Sequence, residues 1–169
     1  MPHDLPALLR KGFPPYIEAE RASSPMNSSP YRISRSDLFG AFCDDTVRIF
    51  LLETFEKFAG RLEADGFDIP GALIGGGFVR RLGTQTQPKD IDALVFYRVK
   101  EGAPEDAINQ LVSRNREARE LRLDIRFCPL DADPFTMIKS VSFFSVLYSK
   151  KEGDLTIRNG LILYDRQRD

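Results

Sequence analysis

The sequence predicts an α+β fold, a mixed β-sheet with helices packed mainly on one face. Long segments with apolar residues at helical spacing alternate with short runs in which every second residue is apolar, and glycine or proline punctuates each change of period. With 169 residues, 42% of them hydrophobic and 13 of them phenylalanine, the chain can fill one sizeable core.

Residues 1–33 read as an extended Pro/Ser-rich arm. Prolines recur there, and the tract Ser23-Ser24-Pro25-Met26-Asn27-Ser28-Ser29-Pro30 favours little regular structure. Leu5, Leu8, Leu9, Phe13, Tyr16 and Ile17 are apolar enough for part of the arm to pack on the domain or on a partner protein. The domain proper spans 34–169 and opens with a helical lead-in over 34–66. Ser34 or Ser36 can cap its start through a hydroxyl, and Asp44 or Asp45 marks a second start after a break. Leu38, Phe39, Phe42, Ile49, Phe50, Leu52, Phe55, Phe58 and Leu62 form a stripe that reads as a core face covering the sheet. Gly66 and Pro70 end this segment.

A central core over 70–127 follows. A first strand at 72–75 runs into Gly75-Gly76-Gly77, a short helix reaches Leu82, and a polar loop over 83–89 leads to a strand at 91–97. Pro104 opens a helix to about Glu120 with an exposed charged face. In Leu121-Arg122-Leu123-Asp124-Ile125-Arg126-Phe127 the apolar residues share one face of a strand, while Arg122, Asp124 and Arg126 share the other. The remainder, 133–166, holds a C-terminal helix with Asp133 as N-cap and Pro134 in its first turn, then a last strand at 160–164.

The chemistry concentrates between Gly75 and Phe127. A glycine turn at the end of an apolar strand lets backbone N–H groups approach a phosphate chain, because no Cβ obstructs it. Asp90 and Asp92, one residue apart at the start of the next strand, project to the same side, and Asp124 is a third carboxylate from a neighbouring strand. Three carboxylates converging on one cleft repel one another unless cations sit between them. Two metal ions about 4 Å apart would serve in-line phosphoryl or nucleotidyl transfer. Arg80, Arg81, Lys89, Arg122 and Arg126 surround the cleft and suit phosphate binding, or else form a solvated polar face.

This pattern resembles the DNA polymerase β-like nucleotidyltransferase superfamily, in particular its small bacterial members. An apolar strand, a Gly-Gly or Gly-Ser turn, a helical turn, Asp-X-Asp and a later strand aspartate occur in the same order, and the match spans roughly residues 71–127. On this resemblance Gly76 and Gly77 match the small residues of the turn, Asp90 and Asp92 the paired metal ligands, and Asp124 the third carboxylate. Where many relatives have Gly-Ser-Phe this chain has Gly76-Gly77-Phe78, so the hydroxyl that helps hold the outer phosphates is missing and backbone donors remain. The resemblance implies Mg2+ (or Mn2+) as cofactor, a nucleoside triphosphate substrate with ATP expected, and a hydroxyl of a protein or RNA as acceptor. It also implies a toxin–antitoxin or defence setting. A nucleotide-binding sensor without catalysis and an interaction module built on the arm and the phenylalanine stripe are the alternatives.

Composition removes other classes. His3 is the only histidine, which excludes a Ser-His-Asp triad and histidine acid–base chemistry. A formal net charge of -1 gives no global attraction to nucleic acid. Cys43 and Cys128 lie in apolar segments without metal-ligand spacing and read as buried free thiols. Neither a membrane-spanning stretch nor a signal peptide is visible, so a cytoplasmic location without membrane association is expected.

Overall fold

The computed structural model describes residues 5–10, 12–17, 25, 28–79, 87–150 and 159–168. Their elements, in chain order, are α1 (Leu5–Arg10), β1 (Tyr31–Ser34), α2 (Arg35–Ala41), α3 (Thr46–Ala64), β2 (Phe67–Gly75), α4 (Gly76–Val79), β3 (Ile91–Val99), α5 (Ala107–Glu120), β4 (Leu123–Pro129), α6 (Pro134–Ser149) and β5 (Ile162–Asp165). The architecture is α+β with one mixed sheet of five strands, in the order β1-β5-β2-β3-β4.

Local chemistry sets the helix boundaries. The Ser34 hydroxyl accepts from Asp37 N–H at 3.1 Å and starts α2. Asp45 accepts from Arg48 N–H at 3.0 Å and starts α3, so the break between the two helices falls at an aspartate, as the sequence predicts. Asp133 does the same for α6 by accepting from Thr136 N–H at 2.9 Å, with Pro134 in the first turn, where its missing N–H costs no bond.

The sheet pairs β2 antiparallel to both β3 and β5, whereas β3–β4 and β1–β5 are parallel. Strand β2 is longer than the expected 72–75 because it runs through Pro70. Its pairing with β3 shifts register between Asp68 and Gly71, the irregularity expected where a proline has no N–H to give the ladder. Strand β1 lies within the segment read as an arm. Four residues directly after a proline give too short a pattern to recognise, and β1 exists through its register with β5, Tyr31 opposite Ile162.

One face of the sheet carries the main core. Phe55, Phe58 and Leu62 of α3, Leu38 of α2 and Leu111 of α5 pack there on Ala72, Ile74, Ile91, Val95 and Ile125. Phe55 and Phe58 are 0% and 1% exposed, and each contributes roughly 2–3 kcal/mol of burial free energy. The phenylalanine stripe is thus a core face, except at Phe50, which is 55% exposed because it falls on the side of α3 away from Leu52. The N-terminal segment joins this core: Leu5, Leu8 and Phe13 are buried, and Leu5–Arg10 is helical where the prolines suggested an irregular chain. Helices do lie mainly on one face, with α6 as the exception. Its Met137, Val141, Phe144 and Tyr148 pack on Leu73, Leu94 and Cys128 on the opposite side. Cys128 is buried as expected, whereas Cys43 is exposed because it falls in the turn between α2 and α3.

Candidate active site

Alternation along β3 and β4 decides which side chains meet. Ile91, Ala93 and Val95, with Leu123 and Ile125, enter the main core. Asp92 and Asp124 therefore project to the α6 side, where Leu94 and Cys128 also point. Parallel pairing sets Asp92 directly opposite Asp124, and antiparallel pairing sets Gly75 opposite Asp92. A row Gly75, Asp92, Asp124 thus crosses three strands, with neighbouring strands about 4.8 Å apart.

The glycine turn is fitted to this row. Gly76 has φ +61, and a Cβ there would collide with the Asp92 carboxylate. No other residue satisfies both the left-handed backbone and the contact. On Gly75 a Cβ would come within 2.5 Å of Tyr148 Cβ and Leu161 Cδ2, so α6 closes tightly over the strand end. A Cβ on Gly77, by contrast, would meet nothing within 4 Å. Arg48 holds the turn from behind: from buried α3 it donates through Nε to Phe78 O at 2.7 Å and through Nη2 to Gly77 O at 3.5 Å, while Nη1 pairs with Asp45. Its guanidinium also lies over the Phe78 ring, 5.9 Å from the centroid.

Asp90 precedes β3 and is positioned by Arg122. The Arg122 backbone is left-handed at φ +63, a conformation that costs a non-glycine residue about 1–2 kcal/mol. Four hydrogen bonds to described residues hold it there. Its Nε donates to Lys89 O, its Nη2 donates to Pro88 O at 3.0 Å, its N–H donates to Arg119 O at 3.0 Å, and its own carbonyl accepts from Ile91 N–H at 3.0 Å. Arg122 therefore ties the start of β4 to the loop carrying Asp90. Burial, reinforced by the charge of Asp124, raises the Asp90 pKa, with Arg122 and Lys89 opposing the shift. Burial likewise pushes the Tyr148 hydroxyl up, with the charges of Asp92 and Asp124 adding to the shift and Arg126 opposing it.

Asp90 and Asp124 line a cavity of about 280 Å³ together with Arg119, Arg122, Leu123 and Arg126. Arg126 Nη1 donates to Asp124 Oδ1 at 2.9 Å, an ion pair whose side chains are 44% and 47% exposed. Of the residues expected around the cleft, Asp90, Asp92, Asp124, Gly76, Gly77, Lys89, Arg122 and Arg126 are gathered by β2, β3 and β4. Arg80 and Arg81 lie outside the described residues. Among the described residues no three His, Cys, Asp or Glu side chains converge at metal-holding distances. Sequence reasoning missed Arg48, Tyr148 and Arg119. For Arg48 a signal exists, since it is a charge one turn from Leu51 and Leu52 on a helix face otherwise given to the core. For Tyr148 and Arg119 there is none, because their place depends on how α6 and α5 dock.

Fold and site together define an α+β domain whose sheet brings a glycine turn, three aspartates and several arginines to one end of three adjacent strands. The chain belongs to a family of unknown function, DUF6932, which it matches over residues 8–163. No curated protein and no solved structure matches it.

Proposed function

We propose that the protein is a metal-dependent nucleotidyltransferase, moving a nucleoside monophosphate from a nucleoside triphosphate, ATP being the expected one, to a hydroxyl of a protein or RNA. The observation that carries this reading is the row Gly75, Asp92, Asp124, with Gly76 fitted against the Asp92 carboxylate. A turn without side chains beside paired carboxylates is the arrangement a triphosphate needs, since backbone donors meet its oxygens while the acidic groups face its counter-ion.

Asp90, Asp92 and Asp124 offer only hard oxygen donors, the chemistry that magnesium and manganese select; since no three acidic side chains among the described residues stand at metal-holding distances, Asp92 and Asp124, opposite one another in register, would hold the ion together with phosphate oxygens, with Asp90 beside them. Bound there, the ion would supply charge neutralisation on the phosphates and a lowered pKa for the attacking hydroxyl. The raised pKa of Asp90 fits the same view: burial is its main cause and the Asp124 carboxylate adds to it, a desolvated acidic corner that a cation would relieve. Arg126 is held on Asp124 through an exposed pair worth little, so it can exchange that partner for a phosphate. Gly76 and Gly77 present backbone donors to the outer phosphates, and Tyr148 with α6 shields the Asp92 side from water. The resemblance to small members of the superfamily supports a toxin–antitoxin or defence setting for such transfer.

A second reading, a nucleotide sensor without chemistry, is favoured by Gly77, which offers no hydroxyl to the outer phosphates. Thermal unfolding with ATP, with and without magnesium, combined with pyrophosphate release, separates the two. Transfer predicts metal-dependent stabilisation with pyrophosphate release, both lost in Asp92→Asn. Stabilisation without pyrophosphate supports the sensor, and no effect of ATP or metal on Tm refutes both.

A further inference from the structure

We infer that Arg119, Arg122 and Arg126 form a phosphate subsite beside Asp124 that takes the backbone of a single-stranded nucleic acid, so that the acceptor is a nucleic acid strand rather than a protein. The inference rests on the nucleotidyltransferase reading for its biological use, and on the cavity itself for its chemistry.

Among the described residues the cavity walls carry three guanidinium groups against two carboxylates, with Leu123 as the apolar member. Their donors are unequally committed. Arg122 uses Nε and Nη2 on Lys89 O and Pro88 O, which leaves Nη1. Arg126 uses Nη1 on Asp124 Oδ1 and Ile125 O, which leaves Nε and Nη2. Arg119, in the last turn of α5, makes no ion pair or side-chain hydrogen bond among the described residues, although other arginines of that helix do: Arg114 pairs with Asp65 and Glu117, and Arg116 with Glu120. A planar group without a partner among the described residues, lining one cavity with two others that have donors to spare, suits phosphate oxygens, which guanidinium binds in a forked geometry.

The backbone strain at Arg122 is a second, independent observation. A left-handed arginine persists only where its surroundings over-determine it, and here two backbone hydrogen bonds hold the strained residue while two side-chain ones fix its guanidinium at the cavity wall. The cavity volume, about 280 Å³, lies just below the usual range of roughly 300–1,000 Å³ for small-ligand sites. That space suits one phosphate-bearing unit of a strand. A serine, threonine or tyrosine acceptor in a polypeptide brings no negative charge that would engage three arginines. The triphosphate is assigned to the glycine turn after β2, whereas the arginines of this cavity belong to the end of α5 and to the start and middle of β4, and the cavity shares Asp90 and Asp124 with the proposed metal site.

Fluorescence anisotropy with a labelled single-stranded 12-nucleotide RNA, and a DNA strand of the same sequence, tests the subsite without any requirement for catalysis. The full-length protein should bind the RNA, and Arg119→Ala should weaken that binding about five- to tenfold. The slope of log affinity against log salt should fall in magnitude by about 0.7, the value for one lost single-strand phosphate contact. Arg116→Ala, on the same helix and outside the cavity, should change neither quantity. Magnesium-ATP binding, followed separately by calorimetry, should be unaltered by Arg119→Ala. Binding of either strand with this arginine dependence upholds the subsite even if ATP fails to bind, a result that would sink the nucleotidyltransferase reading alone. The subsite is overturned if neither strand binds, if Arg119→Ala matches Arg116→Ala, or if Arg119→Ala weakens ATP and not the strand.

Discussion

Gly76 lies so close to Asp92 that a Cβ on the glycine would collide with the carboxylate. The turn and the strand that follows it are therefore fitted backbone to side chain, and the fit requires φ +61 as well as the missing Cβ. Gly76→Ala should cost about 3 kcal/mol, combining the left-handed penalty with displacement of Asp92. For a chain of this size that lowers Tm by about 6–12 °C in a calorimetric scan. An unchanged Tm would mean that the turn is not held as described.

Gly77 gives the opposite expectation. A Cβ there meets nothing within 4 Å, so Gly77→Ser should leave Tm within about 2 °C of the parent. If the turn receives a triphosphate, the added hydroxyl contributes one hydrogen bond of about 1 kcal/mol and tightens ATP binding about fivefold. Calorimetric titration of both proteins decides it, and weaker binding by the serine variant would place the triphosphate elsewhere.

Arg48 is 8% exposed and carries the carbonyls of Gly77 and Phe78. Arg48→Ala takes the guanidinium away from Asp45 and from those carbonyls, a loss of about 3 kcal/mol. Chemical denaturation should show a lower midpoint with unchanged slope.

Asp90 supplies a pH signature. Its folded pKa is raised above the unfolded value by burial and by Asp124, so the folded state holds its proton more tightly. Its stabilising contribution is complete below the ordinary carboxylate pKa and is lost as pH rises through the folded value. Asp90→Asn removes that loss. The variant should have a higher Tm than the parent at pH 7, and the difference should shrink towards pH 4. A gap that widens on acidification contradicts the assigned direction.

Much of this arrangement is legible in the sequence, because it rests on local rules. Asp45 and Asp133 announce helix starts, and strict alternation in 121–127 assigns Asp124 to a face before any partner strand is known. What escaped the sequence depends on distant contacts. Strand β1 exists through β5, about 130 residues later in the chain. Strand β2 passes through Pro70 because its register with β3 slips there. Docking of α6 on the second face, which brings Tyr148 against Gly75 at the strand end, follows from a helix with apolar residues all round, Phe135 at 81% exposed among them, so no stripe foretells its side. The left-handed backbone of Arg122 carries no sequence mark.

The most direct test of the central claim is transfer of label from α-labelled nucleoside triphosphates, with magnesium or manganese, into cell lysate, comparing the intact protein with Asp92→Asn. Label should enter a macromolecular fraction with the intact protein and fall about a hundred- to a thousandfold in the variant, as expected when a transition-state electrostatic group is removed. Label transferred equally by both proteins would contradict the assignment of Asp92. No label with any nucleotide, from a preparation that binds ATP and metal, would contradict the enzyme and leave the sensor.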